Sequence, residues 1–167
     1  MHDETCGEGA GELAGFLPYQ LSVTSNAVST LIAERYRKRF GLKIPEWRVM
    51  AVLGDAEASG RALTQRALTA ATVMDKVAVN RAARVLEERG LIARVPNPGD
   101  GRSHLLALTA EGRAIHAEVM PLARATEREL LGGFDGAQEA ALRDLLARLR
   151  ARAMRLAGPE REGPEQD

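Results

Sequence analysis

From Leu17 to Ala33 the chain carries no charged residue, and Leu21, Val28, Ile32 and Tyr36 form an apolar stripe at helical spacing. Charges begin at Glu34 and continue through Arg35, Arg37, Lys38 and Arg39 to a stop at Gly41. The pattern predicts a helix with one half buried in protein and one half in water; its Gln, Ser, Thr and Asn content is too polar for a lipid span. Pro45 suits the start of a second helix, in which Val49, Val52, Leu53 and Ala56 share a face before a break near Ser59 and Gly60. Thr64 can cap a very short third helix containing Leu68, and Asp75 a fourth, because each side-chain oxygen can accept from a free N–H of the first turn. On the fourth, Val79, Ala82, Ala83 and Leu86 point inward, while Lys76, Asn80 and Arg84 recur every four residues with Arg81 beside them.

Gly90 ends this helix. Leu91 to Val95 and Ser103 to Thr109 predict two short strands around a loop rich in Pro, Gly, Asn and Asp, hence a hairpin with a projecting tip. Thr109 caps a long fifth helix with Ile115, Val119 and Leu122 on one side, interrupted at Gly132 and Gly133. Asp135 with Gln138 fits a capping box opening a sixth, whose stripe is Leu142, Leu145, Leu146, Leu149 and Leu156. Residues 1–15 and 158–167 lack periodicity and are expected to be a disordered arm and tail around a single domain at 16–157.

Composition supports a mostly α fold with a small β-hairpin. Length allows one compact core, and a chain with only 4% aromatic residues, rich in Ala, Leu and Arg, favours helices over a large sheet. The lone Cys6 excludes an internal disulfide and fits a reducing compartment, and no leader or long apolar run is visible, so a cytoplasmic protein with no membrane partner is expected. The net charge of zero hides an asymmetry: both termini are acidic, whereas Arg61 to His104 holds eight bases against four acids. That concentration is compatible with a polyanionic partner, though equally with a solvated face.

The order of elements narrows the choice. An α-helix fits the DNA major groove, a turn-linked helix pair sets its second helix there, and a hairpin tip can reach an adjacent groove. Here the second helix of such a pair has a basic outer face, and the hairpin tip carries an arginine. The stretches Leu63-Thr64-Gln65, Met74-Asp75-Lys76, Val79-Asn80-Arg81-Ala82, Leu86-Glu87-Glu88-Arg89-Gly90-Leu91-Ile92, Asp100-Gly101-Arg102-Ser103 and Leu108-Thr109-Ala110-Glu111-Gly112 follow in the order and spacing of one known pattern. Through them the chain resembles the MarR family of winged helix-turn-helix transcriptional regulators over roughly residues 16–157. The resemblance implies a winged helix-turn-helix at about 45–109 and dimerisation helices at about 16–40 and 110–157. It further implies a homodimer on a pseudopalindromic duplex operator, with wing arginines approaching the minor groove.

On this reading Thr64, Gln65, Lys76, Asn80, Arg81, Arg84, Asp100, Arg102, Ser103 and His104 contact DNA. Where the family often has Thr and Ser, this chain has Ala78 and Asn80, so one donor is missing; Asn80 can still read an adenine edge through two hydrogen bonds, or contact phosphate. The resemblance implies that Asp100 orients Arg102, whose place on a projecting tip suits the negative potential of a narrow minor groove. Ser103 and His104 would add phosphate contacts, against a plainer reading of His104 as an exposed strand residue. Lys76 could equally be solvated, and Arg89 is expected to support the hairpin or face water.

The resemblance also implies a small effector, often aromatic or phenolic, which relieves repression by binding between the dimerisation helices and the DNA-binding lobe. Ser22, Ser25, Asn26 and Ser29 form a stripe of small hydrogen-bonding groups that could line such a pocket with Trp47, Arg48 and His116. The competing reading is close helix packing, with hydroxyls bonded back to their own helix. Cys6, among acids, is a poor redox sensor. No metal-ligand spacing, phosphate loop or nucleophile elbow is visible, so no enzyme, metal or cofactor is expected. The alternative function is a winged-helix protein-interaction module without DNA specificity, for which the basic helix face and wing arginine are not required.

Overall fold

A computed structural model describes residues 13–100 and 102–158. Cys6 and most of the expected arm and tail therefore lie outside the described residues. The elements run α1 (Leu17–Phe40), α2 (Ile44–Ala58), β1 (Leu63–Thr64), α3 (Gln65–Thr72), α4 (Lys76–Glu88), β2 (Ile92–Pro96), β3 (His104–Leu108), α5 (Ala110–Leu131) and α6 (Gly136–Ala157). The chain divides into two compact units, one ending at Thr126 and one beginning at Glu127.

The caps read from sequence form as their chemistry dictates. Gly41 takes the left-handed conformation and its N–H closes α1 on the Arg37 carbonyl. Thr64 Oγ1 accepts from Ala67 N at 3.2 Å and Asp75 Oδ1 from Ala78 N at 2.8 Å, opening α3 and α4. Thr109 Oγ1 accepts from Gly112 N at 3.0 Å, and Asp135 with Gln138 makes the reciprocal box that starts α6. The core of the first unit gathers Met50 and Leu53 of α2, Leu68 of α3, Val79 and Leu86 of α4, Leu91, and Leu106 and Leu108 of β3. Gly112 lets α5 lie on the strand entry: a Cβ there would sit 2.0 Å from the Leu91 carbonyl oxygen.

The structure adds to the expected sheet, shows two apolar surfaces open in the single chain, and corrects the expectation for Arg89. The expected hairpin forms from β2 and β3, with Ile92 opposite Leu108, and β1 extends it to a three-stranded antiparallel sheet in the order β1-β3-β2, with Leu63 opposite Leu106. A strand of two residues shows no alternation, so nothing in the sequence announced β1. In the single chain the uncharged half of α1, expected to be buried in protein, is exposed throughout residues 17–27. The leucine stripe of α6 likewise buries none of its residues. Arg89 neither supports the hairpin nor merely faces water: it donates to the carbonyl oxygens of Phe40 at 2.7 Å and Gly41 at 3.1 Å, with Glu46 at 3.9 Å.

Candidate nucleic-acid interface

Helix α4 is held against the core by Val79, Ala82, Ala83 and Leu86, all buried. Helical geometry then turns Lys76, Asn80, Arg81 and Arg84 outward, and all four are exposed. Arg84 lies 2.8 Å from Glu88 one turn on, which moderates its charge. Lys76 and Arg81 have no ionic partner among the described residues, so their charges remain available to an external anion. On the inner edge Arg94 of β2 pairs with Glu87 at 2.7 Å, tying the sheet to α4.

Helix α3 contributes directly to that face. Gln65, its first residue, donates from Nε2 to Asn80 Oδ1 at 3.0 Å. The oxygen that Asn80 would use to read adenine therefore already accepts one bond. The other end of the Gln65 amide, Oε1, is buried with no partner among the described residues. Thr64 is half-buried and its hydroxyl oxygen is engaged as the α3 cap.

The wing tip is ordered by its own hydrogen bonds. Asn97 Oδ1 accepts from Gly99 N at 3.0 Å, while its Nδ2 donates to Ser103 Oγ at 2.8 Å. The Ser103 hydroxyl is thus engaged within the wing rather than projecting from it. Asp100 was expected to orient the Arg102 side chain; instead its Oδ1 accepts from the Arg102 backbone N–H at 3.1 Å, so it shapes the turn that presents the arginine. Arg102 is exposed, as is His104 at the start of β3, opposite Pro96.

The seven residues expected to line an effector pocket do not gather in one place. Ser29, Trp47 and Arg48 line a cavity of about 190 Å³ between α1 and α2, with Tyr36 and aliphatic side chains completing its wall. Ser22, Ser25 and Asn26 lie nearer the start of α1, exposed and outside this cavity. The reason is geometric: α1 meets α2 only in its C-terminal half, where Ala33 and Tyr36 are buried. Burial pushes the Tyr36 phenol up to about 12, so it presents a neutral hydroxyl. His116 does not line the cavity but packs against one of its walls, stacked on Trp47 with ring centroids 5.6 Å apart. It also fills the space over Gly54, where a Cβ would lie 2.4 Å from its Nε2. Its burial holds the imidazole below its usual range, partly offset by Glu57.

Sequence reasoning passed over Val77, which stands in the first turn of α4 and is 66% exposed. Helical spacing from Asn80 and Arg81 was the available signal, but a search for charges and donors overlooks an apolar side chain.

Comparison with known proteins agrees with this architecture. The MarR family profile matches residues 40–103, the stretch running from the end of α1 to the wing. The transcriptional regulator HosA of Escherichia coli O111:H- is 30% identical over 105 residues, covering 63% of this chain and 75% of that protein. The crystal structure of a MarR/EmrR family transcriptional regulator from Acinetobacter sp. ADP1 superposes with a TM-score of 0.73 at 26% identity, covering 81% of this chain and 93% of that one. A mutant MarR from E. coli, solved in complex with operator DNA, shares the fold with a TM-score of 0.68 at 23% identity, covering 80% of this chain and 92% of that one. From the turn-linked pair α3 and α4, the wing between β2 and β3, and this relationship in sequence, the chain belongs to the MarR family of transcriptional regulators.

Proposed function

We propose that this protein is a homodimeric, sequence-specific duplex-DNA-binding repressor that a small aromatic or phenolic anion releases from its operator. One observation carries the DNA-binding reading: α4 turns Lys76, Asn80, Arg81 and Arg84 away from the core on a single face, and Arg102 stands exposed on the neighbouring wing. In this reading α4 enters the major groove, and Arg102 approaches the minor groove, where the negative potential of a narrow groove favours it. Thr64 and Asp100 then act by shaping the backbone that presents these side chains. The complex of E. coli MarR with operator DNA supports this use of the fold.

Dimerisation accounts for two apolar surfaces that the single chain leaves open. The start of α1 exposes Leu17, Tyr19, Leu21 and Val23, and α6 exposes Leu142, Leu145, Leu146 and Leu149. A second copy buries both kinds of surface, in the segments 16–40 and 110–157, and sets the two α4 helices one helical turn of DNA apart.

The effector reading rests on the cavity walled by Tyr36, Trp47 and Arg48, where two aromatic rings and a guanidinium suit a flat anion. A ligand there weakens operator binding only by preferring a dimer whose α4 helices are wrongly spaced. DNase protection of the region upstream of the gene tests the whole reading. Two protected half-sites about 10 base pairs apart, centre to centre, are expected; binding that protects no discrete site would favour a protein-interaction module instead.

A further inference from the structure

The outer face of α4 carries one side chain that neither charge nor folding accounts for. Val77 precedes Asn80 by three residues, Arg81 by four and Arg84 by seven, so at about 100° per residue these four share one face. Buried Val79, Ala82, Ala83 and Leu86 lie opposite, and Val77 is 66% exposed. A β-branched residue gains nothing from a water-facing helix position, where alanine or a long polar side chain is more favourable. A contact outside the chain would give it a use. Set between an amide and guanidinium groups that suit a polyanion, it fits the apolar feature of the major groove, the thymine C5-methyl.

The second observation concerns the direction of the Asn80 amide. Gln65 Nε2 donates to Asn80 Oδ1 at 3.0 Å, while Gln65 Oε1 is buried without a partner among the described residues. Reversing the Gln65 amide would place two unpaired N–H donors in that buried spot, which is worse than one carbonyl oxygen lacking a bond. This favours the orientation seen: Oδ1 of Asn80 accepts from Gln65, which leaves its Nδ2 donors free for an outside acceptor. Adenine's major-groove edge asks for an acceptor and a donor together, whereas guanine offers two acceptors, N7 and O6.

Resting on the DNA-binding reading above, we infer that α4 selects a guanine through the Nδ2 donors of Asn80, with Gln65 as the positioning residue, and a thymine methyl in a neighbouring base pair through Val77. Asn80 and Val77 touch the DNA; Gln65 acts only through Asn80.

The experiment is selection from a randomised duplex library by the full-length wild type, Gln65→Glu and Val77→Ser, followed by affinity measurement on the selected sites. A glutamate at the first position of α3 suits the helix dipole but meets the buried spot around Oε1, so the circular dichroism and thermal midpoint of Gln65→Glu are compared with the wild type. Gln65→Ala, which removes the donor to Asn80 without adding charge, is selected beside it and should broaden the guanine preference. The glutamate carboxylate accepts from Asn80 Nδ2 and turns Oδ1 outward, so preference at one symmetric position should move from guanine to cytosine or adenine, by about tenfold. Replacing the selected thymine by deoxyuridine removes only a methyl group; it should weaken the wild type several-fold and leave Val77→Ser unaffected. Unchanged guanine selection by Gln65→Glu would overturn the role of Gln65, and equal wild-type affinity for thymine and deoxyuridine at every position would overturn that of Val77. A wild type that enriches no duplex would overturn the DNA-binding reading and this inference together.

Discussion

Arg89 at the end of α4 donates to the Phe40 carbonyl oxygen at 2.7 Å and to that of Gly41 at 3.1 Å, where α1 ends. The last turn of α1 already carries Arg37, Lys38 and Arg39, which satisfy its dipole but not these two acceptors. One guanidinium therefore ties α4, the helix proposed to face DNA, to the helix that leads toward the proposed dimer interface. Arg89→Ala should lower unfolding free energy by about 1–2 kcal/mol in urea titration, the range of charge-assisted hydrogen bonds in partly screened surroundings. Arg89→Lys should recover little of it, because an ammonium lacks the fork that spans two carbonyls. Wild-type stability for Arg89→Ala would show the contact to be dispensable.

Val73, between α3 and α4, has φ of 53° and is 85% exposed. A β-branched residue in the left-handed region is strained, and almost no packing compensates at this exposure. Val73→Gly should stabilise the fold by about 1 kcal/mol, the relief of strain being partly offset by glycine's greater freedom in the unfolded chain. A thermal midpoint at or below that of the wild type would contradict this.

His116 is held below its usual value of 6.5 mainly by burial. With the folded-state value depressed, the unfolded chain binds the extra proton first. The contribution of neutral His116 is therefore full above the unfolded value near 6.5 and declines as pH falls below it. Stability of the wild type should drop as pH falls from 6.5 toward 5, and His116→Gln should show a shallower slope whatever its absolute stability. Parallel curves for the two proteins would remove His116 as the titrating group.

The exposed leucines of α6 give the dimer its own test. Leu145 is 59% exposed, in a stripe with Leu142, Leu146 and Leu149. Sedimentation at micromolar concentration should report a dimer for the wild type and a folded monomer for Leu145→Glu, since a charge in a desolvated interface has no partner. A monomeric wild type would contradict the account of both apolar surfaces.

Much of this architecture is legible in the sequence because it is local. Thr64, Asp75, Thr109 and Asp135 cap the helices they were expected to cap, and Val79, Ala82, Ala83 and Leu86 turn inward, since cap chemistry and the 3.6-residue period act within a few residues. What escaped depends on contacts distant along the chain. Arg89 reaches carbonyls 48 and 49 residues away, and β1 exists only because β3 pairs with it. The Gln65–Asn80 hydrogen bond spans 15 residues and engages the oxygen end of the Asn80 amide. The hydroxyl stripe on α1 was correctly periodic, yet periodicity cannot say where a neighbouring helix ends its contact; only Ser29 reaches the cavity.

The central claim is that α4 meets duplex DNA with Lys76 and Arg81, which no carboxylate among the described residues neutralises. It is tested most directly by the salt dependence of binding to a fixed duplex site for the wild type and Arg81→Ala. Each arginine that contacts phosphate releases condensed counterions, so the logarithm of affinity should fall linearly with the logarithm of salt concentration, and the slope for Arg81→Ala should be smaller by about one. Parallel slopes would place Arg81 outside the interface, and a wild-type affinity indifferent to salt would contradict DNA binding by this face.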